Sequence, residues 1–281
     1  MNDRQHFFLI HGWNMPTTSW NSVNEELENR KVNCEVTVAE LPGYGNSNAT
    51  DDTPDAALGG SDGTDLIESQ IESLLAQAPP CSHWCGWSLG ATLAMIAAAN
   101  RRANIKRLML ISPTPCFTIR HDWAHGMDQR VFEKLFRITQ KDQQRGWRRF
   151  LELQTPADWD AEQRQTMVER WMTDDANFAP AIAALQQGMD VLCQTDLRPL
   201  VPAINIPSQV LASPSDRIVP VEASRWIANT IPNAVYEEHA GGHALPIAAA
   251  NVIVDMLTSW TQEPQTSIPE LSRNSSTQES T

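Results

Sequence analysis

The chain has 281 residues, 41% of them hydrophobic, and a formal charge of −13. It is long and apolar enough for one large α/β domain with an insertion, and its acidity argues against nucleic acid or an anionic membrane as the main partner. No apolar run is long enough to span a bilayer, no signal peptide precedes the first strand, and the five cysteines (Cys34, Cys81, Cys85, Cys116, Cys193) lack the spacing of a disulfide framework or a metal knuckle, so a cytoplasmic protein with reduced thiols and no metal is expected.

In chain order, His6-Phe7-Phe8-Leu9-Ile10 reads as a buried strand that ends in His11-Gly12-Trp13. A second strand spans 32–38, and the turn-rich Leu41-Pro42-Gly43-Tyr44-Gly45-Asn46-Ser47 follows it. Residues 48–63 have no hydrophobic period and read as a mobile loop insertion. Leu66, Ile67, Ile71, Leu74 and Leu75 then recur at helical spacing over 65–77. Ser82-His83-Trp84-Cys85 is a short strand, and the Ala-rich stretch 91–99 favours a helix. After a buried strand at 105–111, Pro113 and Pro115 stop regular structure, and 117–187 turns helical. Strands resume at 208–212 and 234–237, a last amphipathic helix runs over 247–260, and the tail 262–281 has the composition of a disordered segment. The expected organisation is therefore a core of 1–116 and 188–261 with a helical cap at 117–187. The alternation of strands and helices implies a mostly parallel sheet covered on both faces.

Between the strand at 82–85 and the helix at 91–99 stands Gly86-Trp87-Ser88-Leu89-Gly90, the Gly-x-Ser-x-Gly form of a nucleophile elbow. The turn is tight enough that glycines must flank the serine at both sides, and it leaves the hydroxyl at a helix N-terminus, where negative charge is favoured. The N–H of Leu89 is one candidate donor to an oxyanion. The other is the N–H of Trp13, which the His11-Gly12 bend carries inward; His11 itself reads as a brace for that loop. A serine needs a base and an orienting acid. In α/β-hydrolase folds these follow in the order Ser, Asp or Glu, His. Asp216, just past a strand in Ser213-Pro214-Ser215-Asp216, is favoured over Asp190 and Asp196. His243, in a Gly241-Gly242 loop after the last strand, is favoured over His239 and His83. Ser88, Asp216 and His243 would hydrolyse an ester with no metal or organic cofactor.

Arg130, Lys134, Arg137, Lys141, Arg145 and Arg148 recur at steps of three and four, with Phe132, Phe136 and Phe150 largely on the other side. On one continuous helix they would form a single basic face, fit for an anionic partner or merely solvated.

Six segments carry a resemblance. They are His11-Gly12-Trp13; the 41–47 turn; the 86–90 elbow with Trp87; Ser112-Pro113 with Pro115-Cys116-Phe117; Arg149-Phe150-Leu151-Glu152-Leu153-Gln154-Thr155; and Thr195-Asp196-Leu197-Arg198. On these the chain resembles the pimeloyl-acyl-carrier-protein methyl ester esterases of biotin synthesis, within the α/β-hydrolase superfamily. The resemblance implies an α/β-hydrolase fold with a helical cap, and hydrolysis of the methyl ester of a pimeloyl chain held on acyl carrier protein. It also implies that Arg145 and Arg149 contact that acidic carrier, and that Trp13 and Phe150 line the acyl site. Glu162 stands where the family tends to have a further arginine, with Arg164 close by. A monomer is expected. The two other readings are a broad carboxylesterase acting on small free esters and a non-catalytic ligand-binding relative of the same fold.

Overall fold

The computed structural model describes residues 4–45 and 63–262; the loop insertion, apart from its final Gly63, and the tail after Gln262 lie outside the described residues. One six-stranded sheet organises the chain: β1 (Gln5–Ile10), β2 (Cys34–Ala39), β3 (His83–Trp87), β4 (Arg107–Ile111), β5 (Ser208–Ala212) and β6 (Val235–Glu238). Their order is β2-β1-β3-β4-β5-β6, and every neighbouring pair is parallel. A parallel sheet is covered on both faces, so its central strands are apolar without alternation. Phe7 to Ile10 and all of β3 are buried accordingly, whereas the edge strand β6 is mostly exposed and carries Glu237 and Glu238.

The covering helices of the core are α1 (Asn21–Asn29), α2 (Gly63–Gln77), α3 (Leu89–Ala99), α8 (Val221–Thr230), α9 (Leu245–Ala248) and α10 (Ala250–Gln262). The single last helix expected from the sequence is broken at Ala249, whose φ of −134° leaves the helical region. No described helix is long and apolar enough to cross a membrane.

Between β4 and β5 lie α4 (Gln129–Lys141), α5 (Gln143–Gln154), α6 (Ala161–Asp174) and α7 (Ile182–Gln194). Helix starts only at Gln129. Residues before it are tied by isolated bridges, Thr118 to Met127 and Arg120 to Trp123, with Trp123 Nε1 donating to Cys116 O at 2.8 Å. The continuous basic face does not form. Asp142, extended at φ −156° and ψ 98°, ends α4, and its carboxylate accepts the Arg145 N–H at 3.0 Å to cap α5. The charges are thereby divided: Arg130, Lys134, Arg137 and Lys141 stay exposed on α4, while Arg145 and Arg148 belong to a second helix packed against it. Gly146 marks that packing, since a Cβ there would be pressed into Thr139 of α4.

His83 shows how burial couples this core to pH. It packs on Phe7 at 5.6 Å between ring centroids, stacks on Trp260 at 5.4 Å, and meets Gln5 Oε1 at 2.5 Å. Burial, then the nearby Lys106 and Arg107, pushes its pKa down to about 4, against about 6.5 in an unfolded chain. The unfolded chain thus binds more protons between those values. Stability is complete above about pH 6.5, falls as pH drops, and levels off below about 4. His11, also at about 4, acts in the same sense. Urea midpoints measured from pH 7 to pH 4 should therefore decline. His83→Phe, which keeps the ring stack, should reduce the decline by on the order of 2 kcal/mol after allowance for partial solvent access.

Candidate active site

Ser88, Asp216 and His243, with Trp13 and Leu89, follow the carboxyl ends of strands, where an open parallel sheet presents its loops, whereas Phe150, Arg145 and Arg149 lie on α5. Ladder bonds extend past the strand ends and align those loops: Ser88 N–H to Ile111 O at 3.0 Å, Ser112 N–H to Leu211 O at 2.8 Å, and His239 N–H to Ala212 O at 2.9 Å. At the end of β3 the chain turns directly into α3. Ser88 takes φ 56° and ψ −114°, a conformation that non-glycine residues rarely adopt. The turn closes because positions 86 and 90 are glycines. A Cβ on Gly86 would strike the Gly90 carbonyl and lie 2.8 Å from Ala91 Cα; one on Gly90 would lie 2.8 Å from the His11 carbonyl oxygen.

Asp216 and His243 meet beside this elbow. His243 Nδ1 lies 2.7 Å from Asp216 Oδ2, and both side chains are only 1% exposed. The other carboxylate oxygen accepts the N–H groups of Ile218 at 2.8 Å and Val219 at 2.9 Å. With Nδ1 donating to the carboxylate, the His243 lone pair is left on Nε2. That atom is buried and makes no hydrogen bond among the described residues. Three of the rival groups are occupied elsewhere: Asp190 accepts from Gln186, Asp196 is held by Arg198, and His83 lies within the core.

Three residues that the sequence reading left without a role hold the histidine loop. Gln154 O, at the end of α5, accepts the His243 N–H at 2.9 Å; Trp87 Nε1 donates to His243 O at 2.9 Å; and Ser213 Oγ accepts the Gly242 N–H at 3.1 Å. A backbone acceptor such as Gln154 O leaves no side-chain signature. Trp87, adjacent to the serine, was the one visible signal.

On the other side of Ser88 runs the loop after β1. A Cβ on Gly12 would lie 3.3 Å from Ser88 Cβ. The backbone N–H groups of Trp13 and Leu89 enter no backbone hydrogen bond among the described residues. The Trp13 indole is fixed by donation to Leu185 O at 2.8 Å and by edge contacts with Phe132 and Phe150 at 4.8 and 5.0 Å. These rings, with Ser88, Phe117, Leu192 and Ile218, line an apolar chamber that their side chains nearly fill, leaving a free volume of some 10 Å³. Met127, Leu153 and Ile218 separate it from an outer cleft bordered by Asp128, Val131 and Arg217. Arg145 is exposed at the start of α5, and Arg149 is exposed but paired with Glu152 at 2.7 Å. Glu162 is exposed, and Arg164 donates to Trp159 O at 2.7 Å. Among the described residues, no group of three or more His, Cys, Asp or Glu side chains is placed to hold a metal ion.

A serine at a strand-to-helix elbow, with an Asp–His pair on later loops of a parallel sheet, defines an α/β hydrolase. The model of the Alpha/beta hydrolase family matches residues 7–255, and the chain belongs to that family. Among its relatives, the pimeloyl-[acyl-carrier protein] methyl ester esterase of Xanthomonas campestris pv. campestris (strain B100) is 30% identical over 250 residues, covering 89% of this chain and 92% of its own length. The protein of the same name from Xylella fastidiosa (strain M12) is 29% identical over 246 residues, covering 86% and 89%. Among solved structures, an esterase from Exiguobacterium antarcticum superposes with a TM-score of 0.72 over 94% of both chains at 20% identity, a likeness of fold.

Proposed function

We propose that the protein is a serine carboxylesterase that uses Ser88 as nucleophile, His243 as general base and acid, and Asp216 as the group that orients the imidazole. The observation that carries this reading is the 2.7 Å contact from the buried Asp216 to His243 Nδ1, which leaves Nε2 unpartnered on a loop tied to Trp87, the residue before a serine held at φ 56°. In the reaction the Ser88 hydroxyl turns onto Nε2, a contact that tightens when substrate fills the site. His243 takes the proton as Ser88 Oγ attacks the ester carbonyl. The Trp13 and Leu89 N–H groups bind the oxyanion, each worth roughly 3 kcal/mol. His243 then protonates the leaving alkoxide, and a water repeats the sequence to release the acid.

The substrate follows from the relatives. The enzyme hydrolyses the methyl ester of a pimeloyl chain carried by acyl carrier protein, a step of biotin synthesis in the cytoplasm. The apolar lining suits the methylene chain, with Trp13 and Phe150 against it, and those side chains must part to admit it. Arg145 and Arg149 meet the acidic carrier. Among the described residues Arg145 has no ion-pair partner, so its charge is available; Arg149 must be shared with Glu152.

The test compares two substrates, pimeloyl-carrier methyl ester and a short nitrophenyl ester, in the wild type and in Arg145→Glu with Arg149→Glu. On the carrier substrate kcat/KM should fall at least tenfold, with a steep salt dependence in the wild type, and on the nitrophenyl ester it should not change. Equal rates in both proteins on both substrates would point instead to a broad carboxylesterase.

A further inference from the structure

The loop leaving β1 is buried throughout, and the His11 side chain within it is fully enclosed. Its imidazole makes two polar contacts. Nδ1 lies 2.9 Å from the carbonyl oxygen of Gly12, and Nε2 lies 3.2 Å from the backbone nitrogen of Leu41. A carbonyl only accepts and a backbone N–H only donates, so Nδ1 carries the proton and Nε2 is a bare acceptor. The ring is thus neutral and in one tautomer. Burial, which outweighs the Gly12 contact and pushes its pKa down to about 4, keeps it neutral at physiological pH.

The Gly12 carbonyl and the Trp13 N–H belong to one peptide unit. That unit is planar and trans, so its oxygen and its N–H point in opposite directions. Fixing the oxygen fixes the direction of the N–H. The same peptide runs beside the nucleophile, 3.3 Å separating a Gly12 Cβ from Ser88 Cβ. Left unclamped, it could turn over and present a carbonyl dipole to developing negative charge.

We propose that His11 is a positioning residue of the hydrolytic site, whose Nδ1–H holds the plane of the Gly12–Trp13 peptide and thereby aims the Trp13 N–H at the oxyanion. Its Nε2 ties that peptide to the loop after β2 through Leu41. His11 transfers no proton in this role, since both of its nitrogens are engaged. The inference rests on ester hydrolysis at Ser88.

Asparagine and glutamine separate the two contacts, because an asparagine amide can donate from near the Nδ1 position and a glutamine amide reaches the Nε2 position. The full chain and its His11→Leu, His11→Asn and His11→Gln variants would be assayed on nitrophenyl butyrate. Binding would be measured for a trifluoromethyl ketone, which forms a tetrahedral adduct, and for butyrate, which does not. His11→Leu should lower kcat about 100-fold, the cost of one oxyanion donor. Its KM and butyrate binding should stay within threefold, and ketone affinity should fall in parallel with kcat. His11→Asn should keep kcat within tenfold of the wild type, and His11→Gln should behave like His11→Leu. A His11→Leu enzyme with kcat within threefold of the wild type would overturn the proposal, as would equal losses in the Asn and Gln variants. Should His11→Leu not fold, by thermal melting, the Asn and Gln pair decides alone. A wild type that neither hydrolyses the ester nor binds the ketone would refute the Ser88 reading itself, an outcome distinct from failure of the clamp.

Discussion

Ser88→Ala is expected to lower kcat for ester hydrolysis by about 10⁶-fold without unfolding the protein. The loss should be this large because the remaining groups cannot substitute for the hydroxyl. In the proposed mechanism His243 and Asp216 only move and orient a proton, and the backbone donors only stabilise charge that an attack has created. The elbow adds a second expectation. Ser88 sits at φ 56°, where a Cβ is strained. Ser88→Gly should therefore be as inactive as Ser88→Ala, yet melt higher, by roughly 1 kcal/mol of relieved strain. A fluorophosphonate should label the wild type at Ser88 alone by mass spectrometry. Residual hydrolysis above a thousandth of the wild-type rate in Ser88→Ala would mean that the nucleophile lies elsewhere.

Asp216→Asn should cost about 10⁴ in kcat with little change in KM. The geometry dictates how. One carboxylate oxygen accepts the N–H groups of Ile218 and Val219, and those two donors would claim the oxygen of an asparagine amide. The amide NH₂ would then face His243 Nδ1, which must become an acceptor. The ring would shift its proton to Nε2, the atom that has to receive one from Ser88. His243→Gln should be comparably inactive. The double variant should lose no more than the worse single one, because the two residues act as a unit. Single-turnover kinetics on a nitrophenyl ester would check both statements. Independent, additive losses would contradict the assignment.

The parts of the candidate site whose placement depends on backbone necessity were legible in the sequence. Gly86 and Gly90 are required by the elbow, and the apolar runs of β1, β4 and β5 announce strands covered on both faces. The positions of Asp216 and His243 after β5 and β6 follow from topology once the serine is placed. What could not be read is what depends on tertiary contact. The basic residues from Arg130 to Arg148 keep a helical period straight through Asp142, so the period hides the break. The carboxylate that starts α5 is visible only as a cap. Ala249 has strong helix propensity, yet it divides the last helix. The support of the histidine loop by Gln154 O comes from a backbone atom that any residue would supply.

Gln154 O gives the inserted helices a standing that their place in the chain conceals. The α5 helix that carries Arg145 near its start and Arg149 at its middle ends on the atom that accepts the His243 N–H. At 1.5 Å per residue its two ends are some 18 Å apart. A truncated enzyme with residues 117–187 replaced by a short linker would therefore keep its serine and its aspartate but lose a strut of its base. Exchange of this insert between relatives to alter substrate preference must transplant the α5 terminus in register with the 241–243 loop, or the graft will be folded and idle.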